Sequence, residues 1–422
     1  MGCRPLRLPR AGGWVIHRDY IPSITLGITQ IMGYGSLYYA YAILLPEMAL
    51  GLGMSLTAIF GVFSLALFFG GFLAPLAGRL TDRFGGRMVM TFGSLAAGVS
   101  LMLLAFVKGK VGLFLTILLV EAAATFVLYN VAFAAVARLD LTVPAQRSMS
   151  IITLFGGVAS TIFWPLTLAL HRGLGWETTW VILGAAVIMI CVPLHYFGLR
   201  GPLKDQNNSA PRKKGDWPEL SGDARRRGML WMVISFIFSG YIMGAVMTLW
   251  VTNLQDLGHT AVIAALAGAV IGPFKTIGRF FELLVSRNMY PLVTYLLALG
   301  LMLGGFLVLL TIGFTLLGVM IAAALYGMGD GINTIARGTL PLTLFGEKGY
   351  GTLLGWISFV QMGVNASAPF VFALVTEMFG GWWSFAGMFV CVIVAVLTYP
   401  LIPNPRRLSH DPIEDRRMHA HE

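Results

Sequence analysis

The sequence predicts an all-α integral membrane protein with twelve transmembrane helices, arranged as two pseudo-symmetric halves of six helices each. Three observations predict this class: the composition, the spacing of charge-free runs, and the distribution of basic residues. Of the 422 residues, 57% are hydrophobic and only 11% are charged, whereas soluble domains carry about 25% charged residues. The composition excludes an ordinary water-soluble domain. It also excludes a disordered chain, which needs low hydrophobicity and many charges.

Charge-free runs give the number of spans, because a helix that crosses the bilayer needs roughly 20 mostly apolar residues. Eleven runs are long enough, and two of them are interrupted by charged residues, by Glu121 in one and by Lys275 and its neighbours in the other. The run 288–329 is too long for one helix, so we divide it near Thr311. The predicted spans cover 20–46, 48–78, 88–107, 111–137, 148–170, 178–199, 228–255, 257–285, 288–329 as two helices, 349–376 and 378–405.

The basic residues orient these spans. With the N-terminus placed inside, the outer connections carry only Lys108, Lys110 and Arg172, and all other Lys and Arg residues fall on the inner side or in the inner thirds of helices. The positive-inside rule describes this asymmetry. We therefore expect both termini in the cytoplasm of a multi-pass cell-membrane protein. The net charge of +10 follows topology and implies no nucleic-acid partner.

One polar segment, rich in proline and basic residues, divides the chain in the middle. Its composition is typical of a solvated linker. The predicted organisation is a cytoplasmic N-terminal tail (1–19), a first six-helix half (20–199), a cytoplasmic linker (200–228), a second six-helix half (229–403) and a cytoplasmic C-terminal tail (404–422).

The loop after the second span reads GRLTDRFGGR from Gly78 to Arg87. It closely resembles the signature between the second and third helices of the major facilitator superfamily, which has a glycine, an Asp-Arg pair, and then glycine and basic residues. The second half repeats the pattern, since Gly278, Arg279, Glu282 and Arg287 follow Gly78, Arg79, Asp82 and Arg87 at an offset of 200 residues. Weak internal symmetry of this kind is expected of transporters built from two homologous halves.

The resemblance implies the fold, a small-molecule substrate and alternating access. It also implies that the loop is a cytoplasmic latch, which joins the two halves in one of the alternating states. We assign Gly78, Asp82, Arg83 and Arg87 to this latch, and Arg279 and Glu282 to its repeat. The stretch 159–165 and the segment from Arg337 to Leu342 are similar to bacterial members near the monocarboxylate and oxalate/formate branch, which implies a bacterial inner membrane.

Charged residues inside predicted spans are candidates for transport, because each costs about 3 kcal/mol near the bilayer centre and therefore faces a cavity or a partner. Lys275 is either the anchor of an anionic substrate or the ion-pair partner of Asp330. Glu121 is either a proton-coupling acid or the partner of a basic residue across the bundle. For Arg337 we favour a structural role, because the repeat matches it with Arg138.

Polar and aromatic residues inside the spans also indicate which residues line the substrate path. In the first span Gln30, Tyr34, Tyr38 and Tyr41 are three or four residues apart, so they lie on one face of a helix. In the superfamily the first, fourth, seventh and tenth helices surround the central cavity. The remaining candidates for the cavity are Tyr129, Asn130, Tyr241, Asn333 and Gln361.

The motifs of other functional classes are not found in the sequence. No Gly-x-x-x-x-Gly-Lys-Ser/Thr phosphate loop occurs, which argues against an ATP-driven pump, and no nucleophile or metal cluster indicates an enzyme or a cofactor. We expect a secondary active transporter, monomeric, that moves a small organic anion coupled to an ion or a proton. The alternatives are an efflux transporter for an amphipathic or toxic compound, and a transport-inactive sensor or scaffold on the same fold.

Overall fold

The computed structural model describes residues 18–54, 56–204, 219–285 and 289–405. The predicted tails therefore lie largely outside the described residues, as does the middle of the predicted linker. Within the described ranges the chain is helical and forms no strand, apart from one antiparallel bridge between Leu139 and Leu203. The predicted all-helical class is confirmed.

Twelve spans are present in the described chain. Ten helical segments are long and apolar enough to cross a membrane. One of them, Ala145–Gly198, holds two spans, because Gly175 inside it has φ 81° and ψ 168° and breaks the helix. The first span along the chain is not among these ten segments and brings the count to twelve. Its helix is interrupted at Ala40.

The first half contains six spans with several internal breaks. Their helical segments are Ile21–Tyr34, Gly35–Tyr39 and Tyr41–Gly51 in the first; Leu56–Gly70, Gly71–Leu73 and Ala74–Phe84 in the second; Gly86–Leu103 and Leu104–Phe106 in the third; Gly109–Ala124 and Tyr129–Arg138 in the fourth; Ala145–Gly157 and the start of Ala159–Ala186 in the fifth; and the rest of that helix with Val187–Cys191 and Val192–Gly198 in the sixth.

The second half repeats this arrangement with longer uninterrupted helices. Its seventh span already begins inside the segment that the sequence assigned to the linker. The helical segments are Gly222–Asp256 in the seventh span, Ala261–Val285 in the eighth, Pro291–Ile312 in the ninth, Leu316–Phe345 in the tenth, Tyr350–Asn365 and Ala368–Phe379 in the eleventh, and Gly381–Thr398 and Tyr399–Leu401 in the twelfth.

Several boundaries differ from the predicted ones for physical reasons. The charge-free run 48–78 conceals the loop between the first and second spans, which turns at Gly53 with φ 62°. The tenth span continues well past 329 because its charged residues do not end it. Asp330 is 1% exposed inside the protein, so the helix runs on to Phe345.

Packing shows where the two halves meet. One buried cluster combines residues of both halves, for example Phe133 and Met149 of the first half with Tyr350 and Leu354 of the second. Two other large clusters each contain residues of one half only. The halves are therefore packed together at the end of the bundle where Asp82 lies, called the Asp82 end below, and each half has its own core towards the opposite end.

Candidate functional site

A cavity of about 340 Å³ lies between the two halves. Its walls come from the first, second, fourth and fifth spans and from the seventh, eighth, tenth and eleventh spans. Its volume falls within the range of about 300–1,000 Å³ that is typical of small-molecule sites. It is the candidate substrate site.

Irregular backbone surrounds this cavity. The first span changes to a π-helix at Gly35–Tyr39, and the fourth span is interrupted between Ala124 and Tyr129. Both breaks contribute residues to the cavity wall. Single turns of π-helix are frequent at functional sites, and interrupted helices near the midplane form the binding sites of many transporters.

Five aromatic rings line the cavity on the side of the first half. The ring centroids of Tyr34 and Tyr129 are 4.5 Å apart, and Tyr129 is stacked on Phe133 at 5.3 Å. Tyr38 is edge-on to Tyr34 at 6.3 Å and to Tyr39 at 5.4 Å. Tyr38 is also 40% exposed, so its ring is accessible from the cavity.

Three basic residues line the cavity on the side of the second half: Lys275 and Arg279 of the eighth span and Arg337 of the tenth. Lys275 makes an ion pair with the buried carboxylate of Asp330, which is the second of the two alternatives raised by the sequence. Arg279 donates a hydrogen bond of 2.8 Å to the carbonyl oxygen of Thr153 in the first half.

Two guanidinium nitrogens of Arg337, Nε and Nη2, are buried and have no hydrogen-bond partner in the described part of the chain. The Nε atom of Arg279 is also buried without a partner there. The sequence alone favours a structural role for Arg337. Among residues 18–54, 56–204, 219–285 and 289–405, neither Arg337 nor Arg279 makes an ion pair with a carboxylate.

Glu121 is the one carboxylate among the cavity-lining residues. It belongs to the fourth span, is 7% exposed, and packs against Gly70 of the second span. Its Oε1 atom has no hydrogen-bond partner within the described ranges, and the structure shows no ion pair between it and a basic residue there. The partner that the sequence offered as one alternative is therefore not seen.

Three amide side chains, those of Asn130, Gln361 and Asn365, are part of the polar lining. Asn130 donates a hydrogen bond of 2.6 Å to Ser358 across the two halves. Gln361 lines the cavity from the eleventh span, and its Nε2 atom has no partner in the described chain.

Four of the predicted cavity residues lie elsewhere. Gln30 is buried and donates to the Val127 carbonyl oxygen at 2.7 Å. Tyr41 is packed between Phe63 and Trp180 in the core of the first half. The remaining two do not line the cavity either: Tyr241, which shares a hydrogen bond with Ser367, and Asn333, which is fully buried.

The π-helix explains why Tyr41, one of the four first-span residues predicted to line the cavity, faces the core instead. The prediction assumed a regular α-helical repeat, which places residues three or four apart on one face. The wider turn at Gly35–Tyr39 shifts this register, so Tyr34 and Tyr38 face the cavity and Tyr41 faces the core. Tyr39, which an unbroken helix would turn away, also reaches the cavity.

Asp82 joins the two halves at the Asp82 end. Its carboxylate accepts hydrogen bonds from the backbone N–H groups of Gly351 at 2.9 Å and Thr352 at 2.7 Å, and from the Thr352 hydroxyl at 2.7 Å. Gly78 allows the second and eleventh spans to cross this closely, since a Cβ atom there would overlap the Gly351 carbonyl oxygen.

The other predicted latch residues divide into two groups. Glu282 accepts a hydrogen bond of 2.7 Å from the Ser150 hydroxyl, and Arg279 contacts the same span through Thr153, so both connect the halves. Arg83 is exposed beside Phe84, and Arg87 donates to the Tyr196 carbonyl oxygen at 2.8 Å. These two arginines make their contacts within the first half.

Sequence reasoning missed two further aromatic residues of the cavity wall. Phe133 follows Tyr129 by four residues, a spacing that places both rings on one helical face and could have identified it. Tyr39 carried no such signal, because it reaches the cavity only through the π-helix. No group of three or more potential metal ligands forms among the residues that the structure describes.

Comparison with known proteins identifies the fold. The family model described as Major Facilitator Superfamily matches residues 26–369. No curated protein sequence matches this chain. The human organic anion transporter MFSD10 (TETRAN) has a similar structure, with a TM-score of 0.67 and 17% identity over 92% of this chain and 99% of that chain.

Two structures of the transporter FucP are also similar. One, in the outward conformation, has a TM-score of 0.65 and 15% identity, and covers 92% of this chain and 100% of its own. The other, of a variant of the E. coli fucose:proton symporter FucP, has a TM-score of 0.65 and 16% identity with the same coverage. At these identities the similarity shows the fold alone. The family match and the twelve-span architecture agree, and the chain belongs to the major facilitator superfamily, whose members are membrane transporters rather than enzymes.

Proposed function

We propose that this protein is a secondary active transporter that binds an organic anion in the cavity between its halves and moves it by alternating access. The observation that carries this proposal is the pair Arg279 and Arg337. Both line the cavity, and neither is neutralised by a carboxylate in the described chain. A cation inside the membrane normally has a partner or marks a substrate path. An anionic substrate would supply the missing partner.

Lys275 has a different part in this proposal. Asp330 already neutralises it, so of the two alternatives that the sequence leaves open for Lys275 we propose the ion pair rather than the substrate anchor. The anion would instead interact with Arg279 and Arg337, because a planar guanidinium group can donate two parallel hydrogen bonds to a carboxylate. That MFSD10 is an organic anion transporter is consistent with this substrate class.

We further propose that Glu121 carries the coupling proton. An acid buried without an ion-pair partner favours its neutral form, and substrate binding changes the charge of the cavity around it. The titratable and charged groups that share the cavity wall with Glu121 are Tyr34, Tyr38, Tyr39, Tyr129, Lys275, Arg279 and Arg337. FucP, which has the same fold, is a proton symporter.

The basic residues support an orientation. We propose that the Asp82 end faces the cytoplasm of a bacterial cell, that both termini lie there, and that the monomer is the transporting unit. Because the halves are packed together at the Asp82 end, the structure then corresponds to an outward-facing state.

Uptake by reconstituted protein tests the anion site. We expect saturable uptake of labelled carboxylates into proteoliposomes above the passive uptake of protein-free liposomes, stimulated by an inward proton gradient. Arg337→Gln should reduce uptake at least 10-fold, because a charge-assisted hydrogen bond contributes about 1.5–3 kcal/mol. Arg200→Gln, which removes an exposed arginine outside the cavity, should leave uptake unchanged. Equal uptake by wild type and Arg337→Gln would refute the assignment.

The aromatic wall favours a second candidate function, the efflux of an amphipathic compound. Drug-loaded vesicles distinguish the two. Energy-dependent export of a lipophilic cation, together with no carboxylate uptake, would support efflux. Absence of any flux in wild-type protein would support the transport-inactive sensor or scaffold.

A further inference from the structure

The cavity wall is divided by chemistry along the boundary between the halves. All five aromatic lining residues belong to the first half, and all three basic lining residues belong to the second. The cavity therefore presents a ring-covered surface opposite a cationic surface. A small aliphatic anion would use only the second of these.

The aromatic surface is continuous from one end to the other. Each of the five rings lies within 6.3 Å of the next, in the order Phe133, Tyr129, Tyr34, Tyr38, Tyr39. Tyr38 is the exposed member, and the rings on either side hold it edge-on. A ring already fixed by its neighbours loses little conformational entropy when it binds a ligand.

The two surfaces meet at a pair of glycines in the fifth span. The Tyr129 hydroxyl packs directly on Gly156, and Arg279 Nη1 packs on Gly157, where a Cβ atom would lie only 2.9 Å from it. A phenol and a guanidinium are thus held side by side, so one ligand can contact both an aromatic ring and a cation.

The volume also favours a substrate larger than a short acid. One water molecule takes about 30 Å³ of liquid volume, so a cavity of about 340 Å³ is much larger than a two- or three-carbon carboxylate. Such a ligand would leave the aromatic surface in contact with water, which is unfavourable for apolar area.

We infer that the preferred cargo is an aryl organic anion, whose ring packs on Tyr38 and the adjoining aromatic surface while its carboxylate is bound by Arg279 and Arg337. This inference rests on the proposed function and narrows it. Aromatic rings gain from offset and edge-to-face contacts beyond simple area burial. Saturated ligands of equal size and charge lack that gain.

Calorimetric binding to the full-length protein in detergent tests the inference. The ligands are benzoate, cyclohexanecarboxylate and propionate at pH 7.5, where each is ionised. The first two have the same number of carbon atoms and the same charge, so they isolate the aromatic contribution. We expect benzoate to bind at least 3-fold more tightly than cyclohexanecarboxylate and at least 10-fold more tightly than propionate.

Variants of Tyr38 assign the preference to the aromatic surface. Tyr38→Leu should weaken benzoate binding at least 3-fold and leave propionate binding unchanged, whereas Tyr38→Phe should retain the wild-type preference. Tyr196→Leu is the matched control, because Tyr196 is similarly exposed, at 38%, and lies outside the cavity. Thermal unfolding of each variant verifies that it is folded. If a variant is not folded, the binding of the three ligands to the wild-type protein still tests the inference.

The possible outcomes distinguish this inference from the proposed function, anion transport, on which it rests. Propionate bound as tightly as benzoate, with binding of both lost in Arg337→Gln, would overturn the aryl preference and leave the anion site standing. A benzoate preference that persists in Tyr38→Leu would overturn the assignment to this surface. No binding of any of the three anions to the wild-type protein would overturn both proposals.

Discussion

Asp82 binds Thr352 across the two halves through both the backbone N–H and the hydroxyl of the threonine, each at 2.7 Å. The threonine lies in the first turn of the eleventh span, which begins at Tyr350. The first N–H groups of a helix have no partner within it, and the helix dipole favours an anion there. The acid of one half therefore caps a helix of the other.

Glu282 and Ser150 repeat one part of this relationship, the hydrogen bond from a hydroxyl group to a carboxylate of the other half. The acid follows Asp82 by 200 residues, and its hydroxyl partner precedes Tyr350 by the same number. Ser150 lies in the second turn of the fifth span, which begins at Ala145. Both acids thus accept a hydrogen bond from a hydroxyl group of the opposite half, and opening the Asp82 end requires that both contacts break.

We predict that Asp82→Asn opens the Asp82 end. The asparagine keeps one acceptor oxygen in place of two and loses the charge, and a hydrogen bond to a charged group contributes about 1.5–3 kcal/mol. Electron–electron distance measurements between labels at Arg200 and Lys348, one in each half and both exposed, should shift to longer distances. The background is a chain whose native cysteines are replaced by serine.

Asp140→Asn is the control for this prediction. Asp140 is exposed and lies at the same end, so its substitution should leave the distance distribution unchanged. An unchanged distribution in Asp82→Asn would show that its hydrogen bonds do not hold the halves together.

The ion pair between Lys275 and Asp330 predicts strong coupling between two substitutions. Lys275→Met should lower the free energy of unfolding by about 3–5 kcal/mol, because it leaves the buried carboxylate of Asp330 unpaired. Asp330→Leu should lower it by less, because the Lys275 side chain is 17% exposed and lines the cavity. The double variant removes both charges and should lose less than the sum of the two. Thermal unfolding in detergent measures all four proteins, and additive losses would mean that the two charges act independently.

How far the sequence could predict this site is clearest from its charged residues. Apolar runs located Glu121 and Lys275 inside spans, because a charge in such a run is conspicuous. Asp330 and Arg337, by contrast, follow the run 288–329, in the part of the tenth helix that extends beyond it. Which charges pair depends on the contact between the eighth and tenth spans. Spacing along one helix carries no information about a neighbouring helix, so the pairing of Lys275 and the isolation of Arg337 required the structure.

The fold was easier to predict than the cavity for a related reason. Span number and the division into halves follow from hydrophobicity summed over about 20 residues, which tolerates local irregularity. The wall of the cavity depends on single turns. One π-helical segment at Gly35–Tyr39 was enough to move Tyr41 into the core and Tyr39 to the cavity.

Glu121→Gln should uncouple transport from the proton gradient. Glutamine is similar in shape to the protonated acid but cannot release a proton, so the variant should still exchange substrate across the membrane. In wild-type protein, uptake should rise when the outside pH is lowered, because protonation of the acid precedes inward movement. In the variant, uptake should be independent of the gradient.

Counterflow and gradient-driven uptake in proteoliposomes measure the two activities of this variant separately. Glu177→Gln, in which an exposed acid outside the cavity is neutralised, should behave as wild type in both. Gradient-stimulated uptake that survives in Glu121→Gln would assign the coupling proton to another group.

Gly157→Ala should weaken anion binding without unfolding the protein. The added Cβ atom would lie 2.9 Å from Arg279 Nη1, which is too close, but the obstructing atom is the end of a flexible side chain and can move. Its displacement breaks the 2.8 Å hydrogen bond to Thr153 and moves the guanidinium away from its position on the cavity wall. We expect benzoate affinity to fall about 10-fold while the thermal unfolding midpoint changes little. Gly173→Ala provides the matched control, since it adds a Cβ atom to the same span with no neighbouring atom within 4 Å. Equal affinities in the two variants would place Arg279 outside the anion site and leave Arg337 as its cation.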